Sequence, residues 1–195
     1  MISTQTRQQL IEATGRLISR LGYSKTSVGD IAQEAGLSRA TAYLYFPNKE
    51  AMLTAWIGQR SQALRQQLRQ QAYHYQDAWQ ALEEILLARI LLRLERAQQL
   101  GPGPLNEILS ARETLLAARP EEQAREAELL RELILRARPQ HPRPAETAMM
   151  LVLASDALMP SNLGPEQLAD LPRVQQRARE LCGFLTKAVR LGAGD

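Results

Sequence analysis

A group of side chains between residues 27 and 49 has the chemistry needed to bind nucleic acid. The group consists of Ser27, Ser38, Arg39, Ala40, Thr41, Tyr43, Leu44 and Lys49. Hydroxyl, phenol and ammonium groups can bind phosphate oxygens, and a guanidinium can donate to both O6 and N7 of a guanine. Alanine and leucine can contact the methyl group of a thymine. These residue types can contact DNA where a fold presents them together.

Two short helices joined by a tight turn would position this group. Residues 27–46 read SVGDIAQEAGLSRATAYLYF, and their apolar residues recur at helical spacing. Ser27 and Asp30 have the spacing of an acidic capping box, and Ser38 can cap the second helix. Gly36 lies at the turn, where a positive φ costs a glycine little. The pattern predicts a helix-turn-helix, which lays its second helix in the major groove.

The flanking sequence predicts one further helix on each side of this motif. Apolar residues from Leu10 to Leu21 form one face of a first helix, which Gly22 ends. Downstream, Pro47 stops the third helix, and Asn48 can cap a fourth. The predicted order is therefore helix, helix-turn-helix, helix.

This order of motifs resembles the N-terminal domain of the TetR (tetracycline-repressor) family of transcriptional regulators. The resemblance rests on Gly-Tyr-x-x-Thr-Ser, IAxxAG, SxxTxYxYF and PNKExML, which begin at residues 22, 31, 38 and 47. It implies an all-α protein of about nine helices. A DNA-binding domain would occupy residues 4–64, and a helical ligand-binding and dimerisation domain would occupy residues 65–195.

The resemblance also implies a role for individual residues of the motif. Those that would bind phosphates, and so fix orientation without reading sequence, are Ser27, Tyr43 and Lys49. Those that would face base edges are Arg39, Ala40, Thr41 and Leu44. Gly29 departs from the family, since many relatives have a charged or polar residue at this position. We therefore expect affinity to depend more on phosphate contacts and DNA shape than on many base contacts.

In the family, the last two helices pair with those of a second copy, and a small effector changes the spacing of the two DNA-binding heads. The last helix predicted here carries apolar residues at 3-4-3-4-3 spacing from Leu171 to Ala188, a seam that suits dimerisation or intramolecular packing. We expect a homodimer on a palindromic operator, most often a repressor that a small molecule releases. The alternative is a helical architectural or partition protein without ligand sensing.

Composition limits the other classes of function. The net charge is +3, with 45% hydrophobic and 23% charged residues, as in ordinary soluble globular proteins. A single cysteine, no signal peptide and no long apolar run predict a cytoplasmic protein. The two histidines, His74 and His141, lie far apart, and HExxH, GxSxG, P-loop and CxxC motifs are absent. We expect no catalytic site, no metal site and no cofactor.

Beyond residue 54 the sequence reads as helices interrupted by proline and glycine. The predicted helices are 48–72, 76–99, 104–118, 121–138, 145–158 and 165–191. Residues 85–92 are apolar on nearly all sides, which predicts the centre of a bundle. Residues 121–138 are highly charged, and i,i+4 pairs of Glu121 with Arg125 and Glu132 with Arg136 predict a solvated helix.

The resemblance places an effector pocket among these helices. The candidate residues are Trp79, Leu82, Leu86, Ile90, Leu105, Ile108, Leu109 and Asp156. Ordinary core packing is the alternative for the apolar members of this set. Asp156 follows an apolar run, so its carboxylate needs an arginine or an effector as partner. Cys182 lies within the apolar seam, and we expect it to pack as a small hydrophobic residue.

Overall fold

The chain folds into helices joined by short turns. The structure is a computed structural model that describes residues 3–100 and 112–192. The helices are α1 (Thr4–Leu21), α2 (Val28–Glu34), α3 (Arg39–Tyr45), α4 (Lys49–Ala72), α5 (Ala78–Leu100), α6 (Arg112–Ala137), α7 (Pro144–Asp156), α8 (Pro165–Ala169) and α9 (Leu171–Arg190). A 3-10 turn spans Pro160–Asn162. These residues contain no strand, and the predicted all-α fold of about nine helices is confirmed.

The described residues divide into two compact units. The first comprises residues 3–62, 98–100 and 112–119, and the second comprises residues 63–97 and 120–192. One boundary falls within α4 and another within α6. The first unit contains the predicted helix-turn-helix.

The first unit buries one apolar core between α1, α2, α3 and the start of α4. Its fully buried side chains include Leu10, Ile18, Ile31, Ala42 and Leu53. Helix α1 ends at Gly22, whose φ is 92° and whose N–H donates to the Ile18 carbonyl at 3.0 Å. Glycine accepts this backbone conformation because it has no β-carbon. Leu10 and Ile18 are buried and α1 ends before Gly22, as predicted, but Leu21 at the end of the predicted apolar face is 44% exposed.

The second unit packs its core around α5. Ile85, Leu86 and Ile90 are fully buried, and their cluster includes apolar side chains from α4, α6, α7 and α9. This burial confirms the prediction that residues 85–92 lie at the centre of a bundle. No helix within residues 3–100 and 112–192 is long and apolar enough to cross a membrane.

The predicted break at Pro120 is wrong, because α6 continues through this residue to Ala137. Proline has no N–H, so it leaves the carbonyl four residues earlier without its helical donor. Pro120 lies on an exposed part of the helix, where water can bind that carbonyl. Residues 104–111 of the helix predicted at 104–118 lie outside the described residues.

The predicted single helix at 165–191 is also wrong, since the chain breaks at Asp170 between α8 and α9. Pro172 is the second residue of α9 and cannot donate a helical hydrogen bond. The Asp170 carboxylate caps α9 instead, accepting the Arg173 N–H at 3.2 Å. A proline in the first turn and an acidic cap are both typical of a helix start.

One of the two predicted ion pairs in α6 is confirmed, and the other is wrong. Arg125 pairs with Glu121 as expected. Glu132 instead accepts two hydrogen bonds from Arg69 on α4, at 2.7 and 2.9 Å. Arg136 donates to backbone carbonyls at the end of α4 and after it. Helix α6 also has a buried face, which includes Leu130, so the expectation of a solvated helix holds for its charged face alone.

Candidate nucleic-acid interface

The start of α2 is fixed by the predicted capping box. The Asp30 N–H donates to Ser27 Oγ at 3.2 Å, and the Ser27 N–H donates to Asp30 Oδ2 at 2.9 Å. The Ser27 hydroxyl also donates to the same carboxylate oxygen at 2.7 Å. These hydrogen bonds hold the pKa of the Asp30 carboxyl below its usual value. Ser27 is therefore exposed but already bonded, with its oxygen near the N-terminus of α2.

The turn between α2 and α3 has the predicted glycine geometry. Gly36 has a φ of 70°, a left-handed conformation that other residues adopt at a cost. The Leu37 N–H returns to the Ala32 carbonyl at 2.8 Å, and Ala32 itself is buried. Ser38 then caps α3 by accepting the Thr41 N–H at 3.0 Å. The helix-turn-helix expected from the sequence is present at residues 27–46.

Helix α3 turns one side inward and leaves the other open. Ala42 is fully buried against the core, and Thr41 is half-buried with its hydroxyl 2.8 Å from that of Ser38. The exposed residues are Arg39, Ala40, Tyr43 and Leu44. The Leu44 side chain is 74% exposed. Because these residues are spaced at i, i+1, i+4 and i+5, they share one face of the helix.

A polar pair lies along this face. Arg39 Nη2 donates to the Tyr43 phenol oxygen at 3.3 Å, and its guanidinium carbon lies 5.6 Å from the centre of the Tyr43 ring. The hydrogen bond to Tyr43 raises the pKa of Arg39 further above neutrality. Arg39 is therefore charged on the exposed face, with donors available for a guanine.

Lys49 lies at the start of α4 and contacts Tyr23. Its Nζ donates to the Tyr23 carbonyl at 2.9 Å and lies 4.1 Å from the centre of the Tyr23 ring. Asn48 caps α4 by accepting the Ala51 N–H at 2.8 Å, as predicted. Tyr23 belongs to the Gly-Tyr-x-x-Thr-Ser pattern, which does not predict this contact. Sequence spacing gives no sign of it, because Tyr23 and Lys49 are 26 positions apart.

Sequence comparisons agree with the geometry of this motif. Residues 10–56 match the profile described as "Bacterial regulatory proteins, tetR family". Over 84 residues the chain is 34% identical to the HTH-type transcriptional regulator AcrR of Shigella flexneri, a stretch that covers 43% of this chain and 39% of AcrR. Residues 10–56 are therefore a DNA-binding domain of the tetR-family type. It spans 16% to 45% of the length of the curated relatives that it matches.

Solved structures resemble this chain in fold over nearly its whole length, whereas the tetR-family profile covers only residues 10–56. A transcriptional regulator from Cytophaga hutchinsonii has a TM-score of 0.65 at 18% identity, covering 92% of this chain and 96% of that one. FadR from Thermus thermophilus, a TetR family repressor solved with lauroyl-CoA, has a TM-score of 0.61 at 18% identity, covering 94% and 92%. At these identities the likeness concerns the fold.

The candidate effector residues that the structure describes lie in the packed part of the second unit. Leu82, Leu86 and Ile90 are fully buried in the core cluster, and Trp79 is half-buried against it. The other apolar candidates, Leu105, Ile108 and Leu109, lie outside the described residues. The assignment of these residues to a pocket stays a prediction.

Asp156 has an arginine partner, one of the alternatives left open by its place after an apolar run. Arg89 Nη2 donates to Asp156 Oδ1 at 2.8 Å, and Arg89 Nε donates to Glu126 at 2.9 Å. Arg89 also donates to Ser155, and Arg93 donates to Glu126. Arg89 is 1% exposed and Asp156 is 7% exposed. The cluster joins α5, α6 and α7, and within it the buried carboxylates of Glu126 and Asp156 have the guanidinium partners that burial requires.

A cavity of about 350 Å³ lies between α7 and α9 in the second unit. Its apolar walls include Met150 and Leu151 of α7 and Leu185 and Val189 of α9, and His141 lies at its polar side. None of the described effector candidates lines it.

Cys182 on α9 is fully buried, as predicted, and burial raises the pKa of its thiol to about 12.

Proposed function

We propose that the chain is a DNA-binding transcriptional regulator that binds a palindromic operator as a homodimer and is released by a small effector. The observation that carries this proposal is the exposed face of α3, with Arg39 and Leu44 presented by a capped helix-turn-helix. In such motifs the second helix reads base edges in the major groove. By occupying a promoter, the dimer would act as a repressor.

Contacts to DNA divide into those that read bases and those that fix orientation. Arg39, Ala40, Thr41 and Leu44 would face the bases, and Arg39 could bridge O6 and N7 of a guanine. Ser27, Ser38, Tyr43 and Lys49 would lie near the phosphates. These four residues offer one cation, one hydroxyl and two apolar side chains to the bases, so one copy would recognise few base pairs. Two copies related by a twofold axis would read two half-sites and restore specificity.

Exposed apolar side chains on α7 and α9 support a homodimer through these helices. Met150 and Leu153 on α7 are 67% and 51% exposed, and Phe184 on α9 and Leu191 directly after it are 70% and 74% exposed. Residues 150 and 153 are three apart and residues 184 and 191 are seven apart, so each pair shares a helix face. Large exposed apolar side chains gathered on two helices are typical of an interaction surface.

Ligand responsiveness rests on the fold and on the candidate pocket. The Thermus thermophilus FadR structure contains lauroyl-CoA, so a protein of this fold can bind a small molecule. We place the effector of this chain near Trp79, Leu82, Leu86, Ile90, Leu105, Ile108, Leu109 and Asp156. An effector that prefers the DNA-free conformation lowers DNA affinity, and DNA lowers effector affinity by the same factor.

Selection of bound duplexes from a random pool tests the DNA-binding proposal. We expect enrichment of an inverted repeat with half-sites about one helical turn or more apart. Recovery of unenriched sequences would contradict operator recognition. The genes next to genomic copies of the selected site then suggest small molecules for the second test.

Release of the protein from the selected duplex tests the effector proposal. Compounds related to the neighbouring genes are added to the complex, and anisotropy of the labelled duplex is followed. We expect at least one compound to dissociate the complex while leaving the protein folded. A protein that coats duplexes of any sequence in proportion to their length would instead be an architectural or partition protein.

A further inference from the structure

Tyr23 contacts Lys49 and Glu50, the first two residues of α4, beside the helix-turn-helix. The Tyr23 carbonyl accepts a hydrogen bond from Lys49 Nζ at 2.9 Å, and the Tyr23 ring lies 4.1 Å from the same nitrogen. The Tyr23 hydroxyl donates to Glu50 Oε1 at 2.8 Å. Tyr23 packs against the core of the first unit. The ring therefore has a fixed place from which it can hold a lysine.

The held ammonium still has hydrogen-bond donors to offer. An ammonium group has three N–H bonds, and one of them is directed to the Tyr23 carbonyl. Within the described residues the structure gives Lys49 no second hydrogen bond and no ion pair, so two donors are free for a ligand. A ring face attracts the cation without consuming a donor. The arrangement fixes the position of the charge and leaves it able to bind an anion.

Tyr23 also controls the neighbouring carboxylate. Glu50 follows Lys49 in the chain, and its charge could neutralise the ammonium. The phenol binds Glu50 Oε1, and this hydrogen bond lowers the pKa of the Glu50 carboxyl while burial raises the pKa of Tyr23. The phenol therefore stays a donor at neutral pH and keeps the carboxylate occupied.

We propose that Tyr23 is a positioning residue for DNA binding, whose ring and carbonyl hold the Lys49 ammonium at the place where it binds a backbone phosphate. This inference rests on the proposed DNA-binding function. A free lysine loses rotamer freedom when it binds a phosphate. A lysine that is already held has lost that freedom during folding, so the phosphate contact costs less on association.

The test is a double-mutant cycle on DNA affinity. The probe is a fluorescein-labelled duplex carrying the selected site, and a scrambled duplex of equal length is run beside it. The variants of the full chain are Tyr23→Leu, Lys49→Ala and the combination of the two. Tyr23→Phe is the matched control, because it keeps the ring and the carbonyl and loses only the bond to Glu50.

Lys49→Ala should weaken binding of both duplexes about tenfold, as expected for one charge-assisted contact. It should also flatten the dependence of log K on log salt by about one unit. Tyr23→Leu should weaken binding about threefold in the native chain and have no effect in the Lys49→Ala background. Tyr23→Phe should weaken binding by no more than about twofold, because the ring and the carbonyl remain and only the hydrogen bond that occupies Glu50 is lost.

Equal losses from Tyr23→Leu in both backgrounds would overturn the proposal, because Tyr23 would then act through folding and not through Lys49. An unchanged salt slope in Lys49→Ala would overturn it as well, while leaving DNA binding through α3 intact. Failure of the native chain to bind either duplex would instead overturn the proposed function.

A measurement without DNA separates positioning from general packing. An aromatic ring shifts the resonances of protons above its face upfield, so the Lys49 ε-protons should resonate upfield of those of the other lysines. The shift should persist in Tyr23→Phe and disappear in Tyr23→Leu. An unshifted Lys49 in the folded native chain would contradict the contact itself.

Discussion

Helix α1 passes the indole of Trp56 so closely at Gly15 that a β-carbon there would lie 2.2 Å from Nε1. Trp56 belongs to the core of the first unit and is 9% exposed. A buried indole has little room to shift, because the surrounding core is close-packed. Gly15 therefore permits the packing of α1 against α4 that supports the helix-turn-helix.

We predict that Gly15→Ala destabilises the first unit by about 1–3 kcal/mol, the cost of overpacking a core. A glycine in an open helical position behaves in the opposite way. Gly58 on α4 has no atom within 4 Å of the corresponding β-carbon position, so Gly58→Ala should stabilise by about 0.5–1 kcal/mol. Urea unfolding followed by circular dichroism measures both changes. Stabilisation by both substitutions would show that the Trp56 side chain can move away from residue 15 without lowering the free energy of unfolding.

Arg39→Ala should relax sequence preference at one base pair of each half-site. Loss of a bidentate contact to guanine should reduce the preference for guanine over other bases at that position about tenfold or more. At every other position, the variant should keep the base preferences of the native chain, with the same loss of affinity on each duplex. Competition between the selected duplex and single-base variants measures this effect. An equal loss on every duplex would reassign Arg39 to phosphate binding.

The first unit could be predicted from sequence in more detail than the second. In residues 27–46, the caps at Ser27 and Ser38 and the positive φ of Gly36 follow from local hydrogen bonding and backbone sterics, which act within a few residues. The contact of Tyr23 with Lys49 joins residues that are distant in sequence, and no local rule specifies it.

In the second unit, contacts between helices overrode predictions made from residues close in sequence. The sequence predicted that Glu132 pairs with Arg136 along α6, yet Glu132 binds Arg69 of another helix. The exposed position of Pro120 allowed α6 to continue. Asp156 needed a partner on electrostatic grounds, but periodicity could not identify Arg89 among 21 arginines.

The buried ion cluster should be essential to the second unit. Arg89→Met would leave the Glu126 and Asp156 carboxylates in a dry environment with fewer donors, and we expect a loss of about 3–5 kcal/mol in the free energy of unfolding. Arg125→Met removes pairs with the exposed Glu121 and with Glu122, and Glu122 keeps its pair with Arg65, so the cost should be less than about 1 kcal/mol. Chemical denaturation measures both. Losses of similar size would indicate that water reaches the cluster.

Phe184→Arg should dissociate the proposed homodimer. Truncating or charging a central aromatic anchor costs about 2 kcal/mol or more, so the dimer dissociation constant should rise at least about 30-fold. Tyr73→Arg is the matched control, because Tyr73 is a 74% exposed aromatic residue that directly follows α4 and belongs to neither α7 nor α9. Sedimentation equilibrium gives both constants. A dimer unaffected by Phe184→Arg would require a different interface.

The number of chains on one operator tests the central claim most directly. Sedimentation of the chain with a labelled duplex carrying the selected site should give two chains per duplex, and scrambling one half-site should weaken binding sharply. Lengthening the duplex with unrelated sequence should leave the number at two. A number that grows with duplex length, or no complex with any duplex, would contradict a dimeric operator-binding regulator.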